Sequence, residues 1–210
     1  MKYFFLIAVI ILVSINLHAQ KQGPLTLNLY GGYTFKDKIY LDAFHGYVNE
    51  AFQYGGGLEY YIQRNRSIEL KYLRMDTRFP IYGPAGTKLN EGTDKGSLNY
   101  ILIGGNNYFP MSSESKAEPY AGFDLGVGIA DLKEGGSSTN FAWDAKLGVK
   151  INTSDAVSIK LQAYIQSVIS AVGSDYYAYP GGAVISIPDY TSIFQFGLGA
   201  AIAFNFKSQK

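Results

Sequence analysis

The 210-residue sequence has no cysteine and is close to electrically neutral, with 18 basic and 17 acidic residues. Without cysteine there can be no disulfide framework, no thiolate chemistry and no lipoprotein anchor cysteine. Near-neutrality gives no electrostatic reason to expect nucleic acid as a partner. Beyond the N-terminal segment, no apolar run approaches the roughly 20 residues that a membrane-spanning helix needs. Any membrane crossing by the rest of the chain must therefore use strands.

The N-terminal residues have the pattern of a secretory signal. Lys2 supplies one positive charge, an apolar run extends from Tyr3 to Val13, and a more polar segment leads to Ala19. The apolar run is too short for a spanning helix and suits a signal peptide. We expect residues 1–19 to be a signal peptide that is removed after Ala19, and residues 20–210 to form one domain.

Tyrosine, phenylalanine and glycine are abundant, at 18, 13 and 24 residues, and they are arranged with a period of two. The stretch from Ser192 to Phe206 shows this most clearly, because its alternate residues are apolar. Those residues are Phe194, Phe196, Leu198, Ala200, Ile202, Phe204 and Phe206, and the residues between them are mostly small or polar. A period of two is that of a strand with one apolar face. Aromatic ends around an aliphatic middle are typical of a strand that crosses a membrane.

Similar alternation predicts eight strands. They cover residues 24–36, 52–63, 67–73 and beyond, 97–109, 120–132, 141–151, 157–166 and 192–206. In the third strand, Leu73 and Met75 fall on the polar face and Arg74 on the apolar face, which indicates either a bulge or a strand that has left the membrane. In the fourth strand, Ile101 and Ile103 lie opposite the other apolar residues, so its register stays open.

The connections between the predicted strands alternate in length. Those after the first, third and seventh strands are long, the one after the fifth is modest, and those after the second, fourth and sixth are short. Outer-membrane barrels have an even number of strands, with short turns on one side and longer loops on the other. We therefore predict an all-β fold, an eight-stranded antiparallel up-and-down transmembrane β-barrel, closed by pairing of its first and last strands.

A soluble barrel is the alternative, and in it the apolar faces would line the cavity. The polar faces carry charged residues interleaved with glycine, which would make room for long side chains inside a narrow barrel. The apolar faces carry aromatic residues at both ends, as expected for two membrane interfaces. At the loop ends these are Tyr33, Phe35, Phe52, Tyr54, Phe141, Trp143, Phe194 and Phe196, and at the turn ends Tyr60, Tyr108, Phe204 and Phe206. We expect the apolar face to contact lipid.

Three segments carry a resemblance to a known family. Residues 54–72, Y-G-G-G-L-E-Y-Y-I-Q-R-N-R-S-I-E-L-K-Y, resemble the second hairpin of the small outer-membrane barrels related to the OmpA membrane domain, OmpX and the opacity proteins. The segments E-P-Y-A-G-F-D-L-G-V-G and F-A-W-D-A-K-L-G-V-K-I-N-T-S-D are similar to the third hairpin of that group and its following turn. The resemblance implies the outer membrane of a Gram-negative bacterium, and it specifies architecture better than activity.

The charged residues of the polar faces are expected to form an interior ion-pair network. They are Glu59, Glu69, Lys71, Asp124, Asp144, Lys146, Lys150 and Lys160. Counting from the turns places Glu59 beside Glu69 and Lys71, and Asp124 opposite Lys146. The network would plug the barrel, since charges out of bulk water must be paired; the alternative is a small conducting pore. Eight strands leave an interior that side chains just fill, which favours the plug.

An enzymatic alternative depends on His45, the only histidine outside the signal segment. A lipid A acyltransferase or deacylase would need a histidine, a serine and a carboxylate near the outer interface. Ser97, Ser167, Ser170, Asp42 and Asp76 lie near that level, but no motif links them. No metal-ligand spacing or nucleotide-binding motif is present, so we expect no metal, no cofactor and no catalysis.

The long loops hold the remaining candidate binding residues, which are Tyr82, Tyr176, Tyr177, Tyr179 and Tyr190. Exposed tyrosine beside flexible glycine suits recognition, although the same loops could simply pack over one another as a cap. We expect a structural or surface-interaction protein. Its expected partners are outer-membrane lipid and lipopolysaccharide, the barrel-assembly machinery during biogenesis, and an extracellular or envelope protein.

Overall fold

A computed structural model describes residues 25–41, 44–83, 85–111, 115–133, 136–170, 176–178, 184–186 and 191–206. Within this part of the chain, eight antiparallel strands form a closed barrel, as predicted. In chain order they are β1 (Leu25–Thr34), β2 (Ala51–Gln63), β3 (Arg66–Arg78), β4 (Lys95–Tyr108), β5 (Ala117–Leu132), β6 (Gly136–Asn152), β7 (Val157–Ser170) and β8 (Thr191–Phe206). None of the described residues belongs to a helix long and apolar enough to span a membrane.

Every barrel strand pairs with the strands that precede and follow it in the chain. The barrel closes as predicted, because β8 pairs with β1 from Phe206 opposite Leu25 to Gly197 opposite Thr34. The short turns and the first and last described residues lie together at one end of the barrel, here called the turn end. The long connections lie at the other end, the loop end. The backbone of the wall is thus hydrogen-bonded from strand to strand around the closed barrel, as a wall in contact with lipid requires.

The apolar faces point outward and the polar faces point into the lumen. Leu29, Leu198 and Ile202 are each about half exposed, at 47%, 50% and 48%, whereas the inward Asn28 and Glu59 are fully buried. This arrangement is that of a barrel in lipid and contradicts the soluble alternative, in which the apolar side chains would fill the cavity. The exposed aromatic residues lie at both ends of the wall.

Tyr108 is an exception to the predicted placement of the aromatic residues. It was expected in the turn-end girdle, but its side chain points into the lumen and is only 1% exposed. Its hydroxyl donates a hydrogen bond to Glu59 Oε1 at 2.6 Å, and its ring packs between Tyr61 and Tyr120. A buried carboxylate that needs donors explains why this tyrosine faces inward.

The irregular pattern of the third predicted strand does not mark a bulge. Burial alternates without interruption through β3, with Leu73 and Met75 inward and Arg74 outward. The strand pairs continuously with β4, in which Leu98 faces inward and Ile101 outward. The inner wall therefore changes from charged to apolar toward the loop end. The one register shift between β2 and β3 lies near the turn end, between Tyr61 and Gln63.

Five short strands extend the structure beyond the barrel wall. Asp37–Leu41, Phe44–Val48 and Ile81–Tyr82 form a three-stranded sheet, here called the loop sheet. Tyr176–Ala178 pairs with Val184–Ser186. From the sequence, we predicted only connections in these regions.

Two adjacent glycines of β2 provide a matched test of how tightly the lumen is packed. A methyl group at the inward Gly57 would meet Glu69 Oε1 at 2.6 Å and Lys71 Cβ at 3.1 Å, whereas one at the outward Gly56 would meet its nearest atom at 3.5 Å. We expect Gly57→Ala to lower the free energy of unfolding by about 2 kcal/mol, as overpacking does. Gly56→Ala should change it by less than about 0.5 kcal/mol.

The measurement is urea unfolding of each refolded variant in lipid vesicles, followed by the mobility shift between folded and unfolded protein in gels. Equal midpoints for the two variants would contradict a filled lumen next to Gly57.

Candidate functional site

The lumen holds an ion-pair network built on three lysines from different strands. Lys71 Nζ lies 2.8 Å from Asp124 Oδ2 and 2.9 Å from Asp144 Oδ2. Lys146 Nζ lies 2.9 Å from Asp124 Oδ2 and 3.1 Å from Glu69 Oε2. These side chains are at most 1% exposed. The network therefore joins β3, β5 and β6 through contacts that are shielded from water.

Two expected pairings are wrong in detail. Asp124 lies directly opposite Asp144, and Lys146 faces Gly122 and reaches Asp124 diagonally. Glu59 lies opposite Glu69, but its lysine partner is Lys160 across the barrel, at 2.5 Å, and not Lys71. For Asp124, the residue count placed its neighbour on the adjacent strand two positions too far along. The contact between Glu59 and Lys160 crosses the lumen and depends on barrel closure, which the turns do not reveal.

Neutral donors complete the coordination of the two glutamates. Asn28 Nδ2 donates to Glu69 Oε1 at 2.7 Å and to Glu59 Oε2 at 3.1 Å, and Tyr30 also donates to Glu69 Oε1. Asn106 Nδ2 donates to Glu59 Oε1 at 2.9 Å. Lys150, the remaining inward lysine, lies nearer the turn end, where its Nζ donates to the Tyr61 hydroxyl at 3.1 Å. The eight charged residues predicted to line the lumen are all found there.

An apolar layer lies on the loop side of this network. It consists of the buried side chains Val48, Leu73, Met75, Leu98, Tyr100, Leu102, Ala142 and Val168. Between the two layers, a cavity bordered by Tyr30, Gln53, Asp144 and Tyr164 measures only about 10 Å³, about enough for one water molecule. The geometry favours a plugged barrel over a conducting pore.

The loop sheet has two different faces. Val48, which belongs to the apolar layer, and Ile39, which packs against that layer, face the barrel and cover the lumen. The opposite face carries His45, Tyr47 and Tyr82, whose ring centroids lie 5.4 to 5.9 Å apart. Lys36 Nζ lies 3.9 Å from the centroid of the Tyr47 ring, a cation–π contact. We call these four residues the aromatic patch.

The aromatic patch was only partly foreseen from the sequence. Tyr82 was a predicted binding residue, whereas His45 was considered only as a catalytic candidate. Tyr47 and Lys36 were missed, although the alternation of F-H-G-Y-V over residues 44–48 is a strand signal that could have placed His45 and Tyr47 on one face.

Two of the other four predicted loop tyrosines lie within the described residues. Tyr176 and Tyr177 lie in the short strand Tyr176–Ala178, opposite Ser186 and Ile185. Tyr179 and Tyr190 lie outside the described residues, as do the signal segment and Asp42.

The described residues do not bring the enzymatic candidates together. His45 contacts aromatic rings, Ser167 Oγ lies 2.8 Å from Ser192 Oγ, and Asp76 accepts hydrogen bonds from Arg74. Ser97 Oγ accepts a hydrogen bond from Asn99 Nδ2 at 3.2 Å. In the part of the chain that the structure covers, no group of three or more histidines and carboxylates could hold a metal ion.

Two carboxylates in the loops have shifted pKa values. Burial raises the pKa of Asp37, even though the backbone amides of Phe194 and Lys38 donate hydrogen bonds to it. Burial would also raise the pKa of Asp94, but Lys88 Nζ lies 2.8 Å from its Oδ2, and the net effect lowers the pKa. Ionised Asp94 therefore stabilises the folded protein at pH values above the pKa that Asp94 has in the unfolded chain. This stabilisation is lost as the pH falls through the lower pKa of Asp94 in the folded protein.

Comparison with known proteins relates the chain to membrane barrels. A family model for the outer membrane protein β-barrel domain matches residues 5–200. Neisserial surface protein A has a similar structure, with a TM-score of 0.54 and 16% identity over 85% of this chain and 96% of that chain.

Two further structures align at lower similarity. The N-terminal barrel domain of Pseudomonas aeruginosa OprF covers 89% of this chain and 100% of its own, at 14% identity and a TM-score of 0.47. The alignment with the Escherichia coli outer membrane protease OmpT covers 90% of this chain and 99% of that chain, at 9% identity and a TM-score of 0.47. At 16% identity, the likeness to Neisserial surface protein A shows the fold alone. No curated protein sequence matches the chain.

The pairing of Lys160 with Glu59 predicts a large effect of removing the cation. Lys160→Met keeps the side-chain volume but leaves the buried Glu59 without its cation, so we expect the free energy of unfolding to fall by about 3 kcal/mol. Lys116→Met, at an exposed residue of the turn end, should change it by less than about 0.5 kcal/mol.

Urea unfolding in lipid vesicles measures both variants, together with Glu59→Gln combined with Lys160→Met. The double variant should regain part of the loss, since no charge then stays unpaired. A Lys160→Met protein as stable as the Lys116→Met control would show that the pair is not important.

Proposed function

The chain belongs to the outer membrane protein β-barrel family, and we propose that it acts as a surface-interaction protein whose loop sheet binds another protein outside the cell. The family implies the outer membrane of a Gram-negative bacterium. In that membrane the longer loops of barrels face outward, so the loop end is the extracellular end and the turn end is periplasmic.

The aromatic patch is the observation that carries this proposal. His45, Tyr47 and Tyr82 offer three neighbouring ring surfaces, and Lys36 adds a positive charge at one edge. Tyrosine and similar rigid aromatic side chains give large contact areas at a small cost in conformational entropy, which makes them frequent in binding surfaces.

The patch is held rigidly on the barrel, as a preorganised binding surface requires. The Tyr47 amide donates to the Pro80 carbonyl oxygen and the Asn49 amide to the Arg78 carbonyl oxygen, each at 3.0 Å. On the other side, Asp37 Oδ2 accepts a hydrogen bond from the Phe194 amide at 2.8 Å, which ties the loop sheet to β8. The barrel is thus a scaffold for the loops, and Tyr176, Tyr177, Tyr179 and Tyr190 are further candidate contacts.

Two other functions receive less support. The filled lumen disfavours a pore. A lipid A acyltransferase or deacylase would need His45 beside a serine and a carboxylate, and the described residues do not supply this arrangement. If a strain that lacks the protein has the same lipid A acylation as its parent strain, the enzyme role is excluded and the recognition role is unaffected.

The recognition role can be tested by truncating the aromatic patch. We expect the combined change His45→Ala, Tyr47→Ala and Tyr82→Ala to reduce binding of the partner by at least about tenfold, because buried aromatic anchors dominate binding energy. Partners are crosslinked in the native membrane, isolated with the tagged full chain and quantified by mass spectrometry against the unaltered protein. Deletion of residues 176–190 is a second arm of the same experiment.

The matched control is Phe109→Ala, which removes an exposed aromatic ring at the turn end and should leave recovery unchanged. Gel mobility shifts confirm that each variant has a folded barrel. Recovery of the same proteins in the same amounts by the patch variant would refute the recognition role of the aromatic patch.

We also propose that the protein is exported by a cleaved N-terminal signal. Protein purified from the outer membrane should begin at Gln20, as determined by N-terminal sequencing. An intact Met1 or another start would contradict cleavage after Ala19.

A further inference from the structure

A polar groove lies on the outside of the barrel wall at the loop end, where β3, β4 and β5 run side by side. Its volume is about 630 Å³, and its lining includes Glu50, Arg78, Lys95, Asp131 and Lys133. The groove is separate from the aromatic patch and from the lumen network. Its size is within the range of roughly 300 to 1,000 Å³ that is usual for small-molecule sites.

Three cations line the groove in one row, Arg78 from β3, Lys95 from β4 and Lys133 from the residue that follows β5. Arg78 lies directly opposite Lys95, so their side chains leave the sheet on the same face. The Lys133 amide donates a hydrogen bond to the Lys95 carbonyl oxygen at 3.0 Å, which places Lys133 next in the row. All three residues are exposed.

In the described part of the chain, none of the three cations is directly paired with a carboxylate, although Arg78 is one of the charges that lower the pKa of Asp94. Like charges directly opposite each other destabilise a sheet, and among the described residues no ion pair within 4.0 Å involves Arg78, Lys95 or Lys133. Asp76 and Arg74, the next two outward residues of β3 toward the barrel centre, pair with each other at 2.7 Å. The row is therefore suited to an anion supplied from outside the chain.

Two carboxylates, Glu50 and Asp131, line the same groove. They lower the net charge of the lining, so long-range attraction of any anion is weak. Binding must then depend on direct contact with the three cations.

The groove lies at the level where the wall changes from apolar to polar. Below it on the outer face are the exposed Ile101 and Val127, which belong to the lipid-facing wall. Between them and the cations, the Tyr72 hydroxyl donates to Asn99 Oδ1 at 2.8 Å and the Tyr54 hydroxyl to Asp76 Oδ2 at 3.1 Å. Tyrosines with an apolar ring and a hydrogen-bonded hydroxyl mark a membrane interface. The cations are thus at the depth of the lipid headgroups.

We propose that this groove binds the phosphate groups of a phosphorylated lipid in the outer leaflet, through Arg78, Lys95 and Lys133. An arginine fork and lysine ammonium groups are suited to phosphate oxygens. A lipid-linked phosphate is favoured over free phosphate because its acyl chains can lie along the apolar wall directly below. This inference goes beyond the proposed recognition of a protein partner and does not depend on it.

The test is lipid retention by the purified full chain, measured by native mass spectrometry from phosphatidylcholine bicelles that contain lipid A. The combined change Arg78→Gln, Lys95→Gln and Lys133→Gln should weaken retention of lipid A by at least about tenfold, since each cation near an anionic membrane surface contributes appreciably. The matched control, Arg64→Gln, Arg66→Gln and Lys116→Gln, removes the same charge from exposed residues of the turn end and should change retention by less than about twofold.

We call the triple change of the cations the groove variant. The unaltered protein should retain dephosphorylated lipid A as weakly as the groove variant retains intact lipid A. Inorganic phosphate at the same concentration should not displace lipid A. If the groove variant does not fold, Lys95→Gln alone is tested. This change removes the repulsion between Lys95 and its neighbouring cations, so the barrel should still fold, and it should still weaken retention of lipid A.

Equal retention of lipid A by the groove variant and the unaltered protein would overturn the proposal, as would equal retention of the dephosphorylated lipid. Displacement of lipid A by inorganic phosphate would show that the groove binds the free ion, and this result would also contradict the proposal. The groove variant should still recover the protein partner of the aromatic patch, so failure of one proposal is distinguishable from failure of the other.

Discussion

Charges that are taken out of water must be paired, and this requirement governs how the eight strands face one another. Lys71, Lys146 and Lys160 reach carboxylates at 2.5 to 3.1 Å in a space that water hardly enters. The lipid-facing wall can be apolar between its two ends because the charged residues at that level of the barrel point inward. The inward glycines are part of the same arrangement, since Gly57 leaves only enough space for the side chains of Glu69 and Lys71.

Much of this architecture could be predicted from alternation alone. The number of strands, closure by the last strand and the outward apolar face follow from a period of two combined with the parity of the connections, and the family resemblance is confirmed by the match over residues 5–200. The prediction was incomplete where the inward face is not polar. Leu73 and Met75 looked misplaced because alternation was judged by polarity, whereas the loop half of the lumen is apolar.

Partners across the lumen were the other gap. Tyr108 looked like a girdle residue, since a tyrosine suits an interface as well as a buried hydrogen bond to Glu59. The partnership of Glu59 with Lys160 joins residues 101 positions apart and requires the closed barrel to be known. The aromatic patch was hidden for a similar reason: Tyr82 meets His45 only because the two loops form one sheet.

The structure separates a filled interior from two outward surfaces, the aromatic patch and the cationic groove. We propose that the barrel is a solid support and not a channel. The most direct test is to reconstitute the purified full chain in a planar lipid bilayer and record current under applied voltage. We expect no steady conductance. A steady, ohmic conductance that shifts when Lys146 or Lys150 is neutralised would contradict the claim, because ions would then be passing the lysines of the lumen.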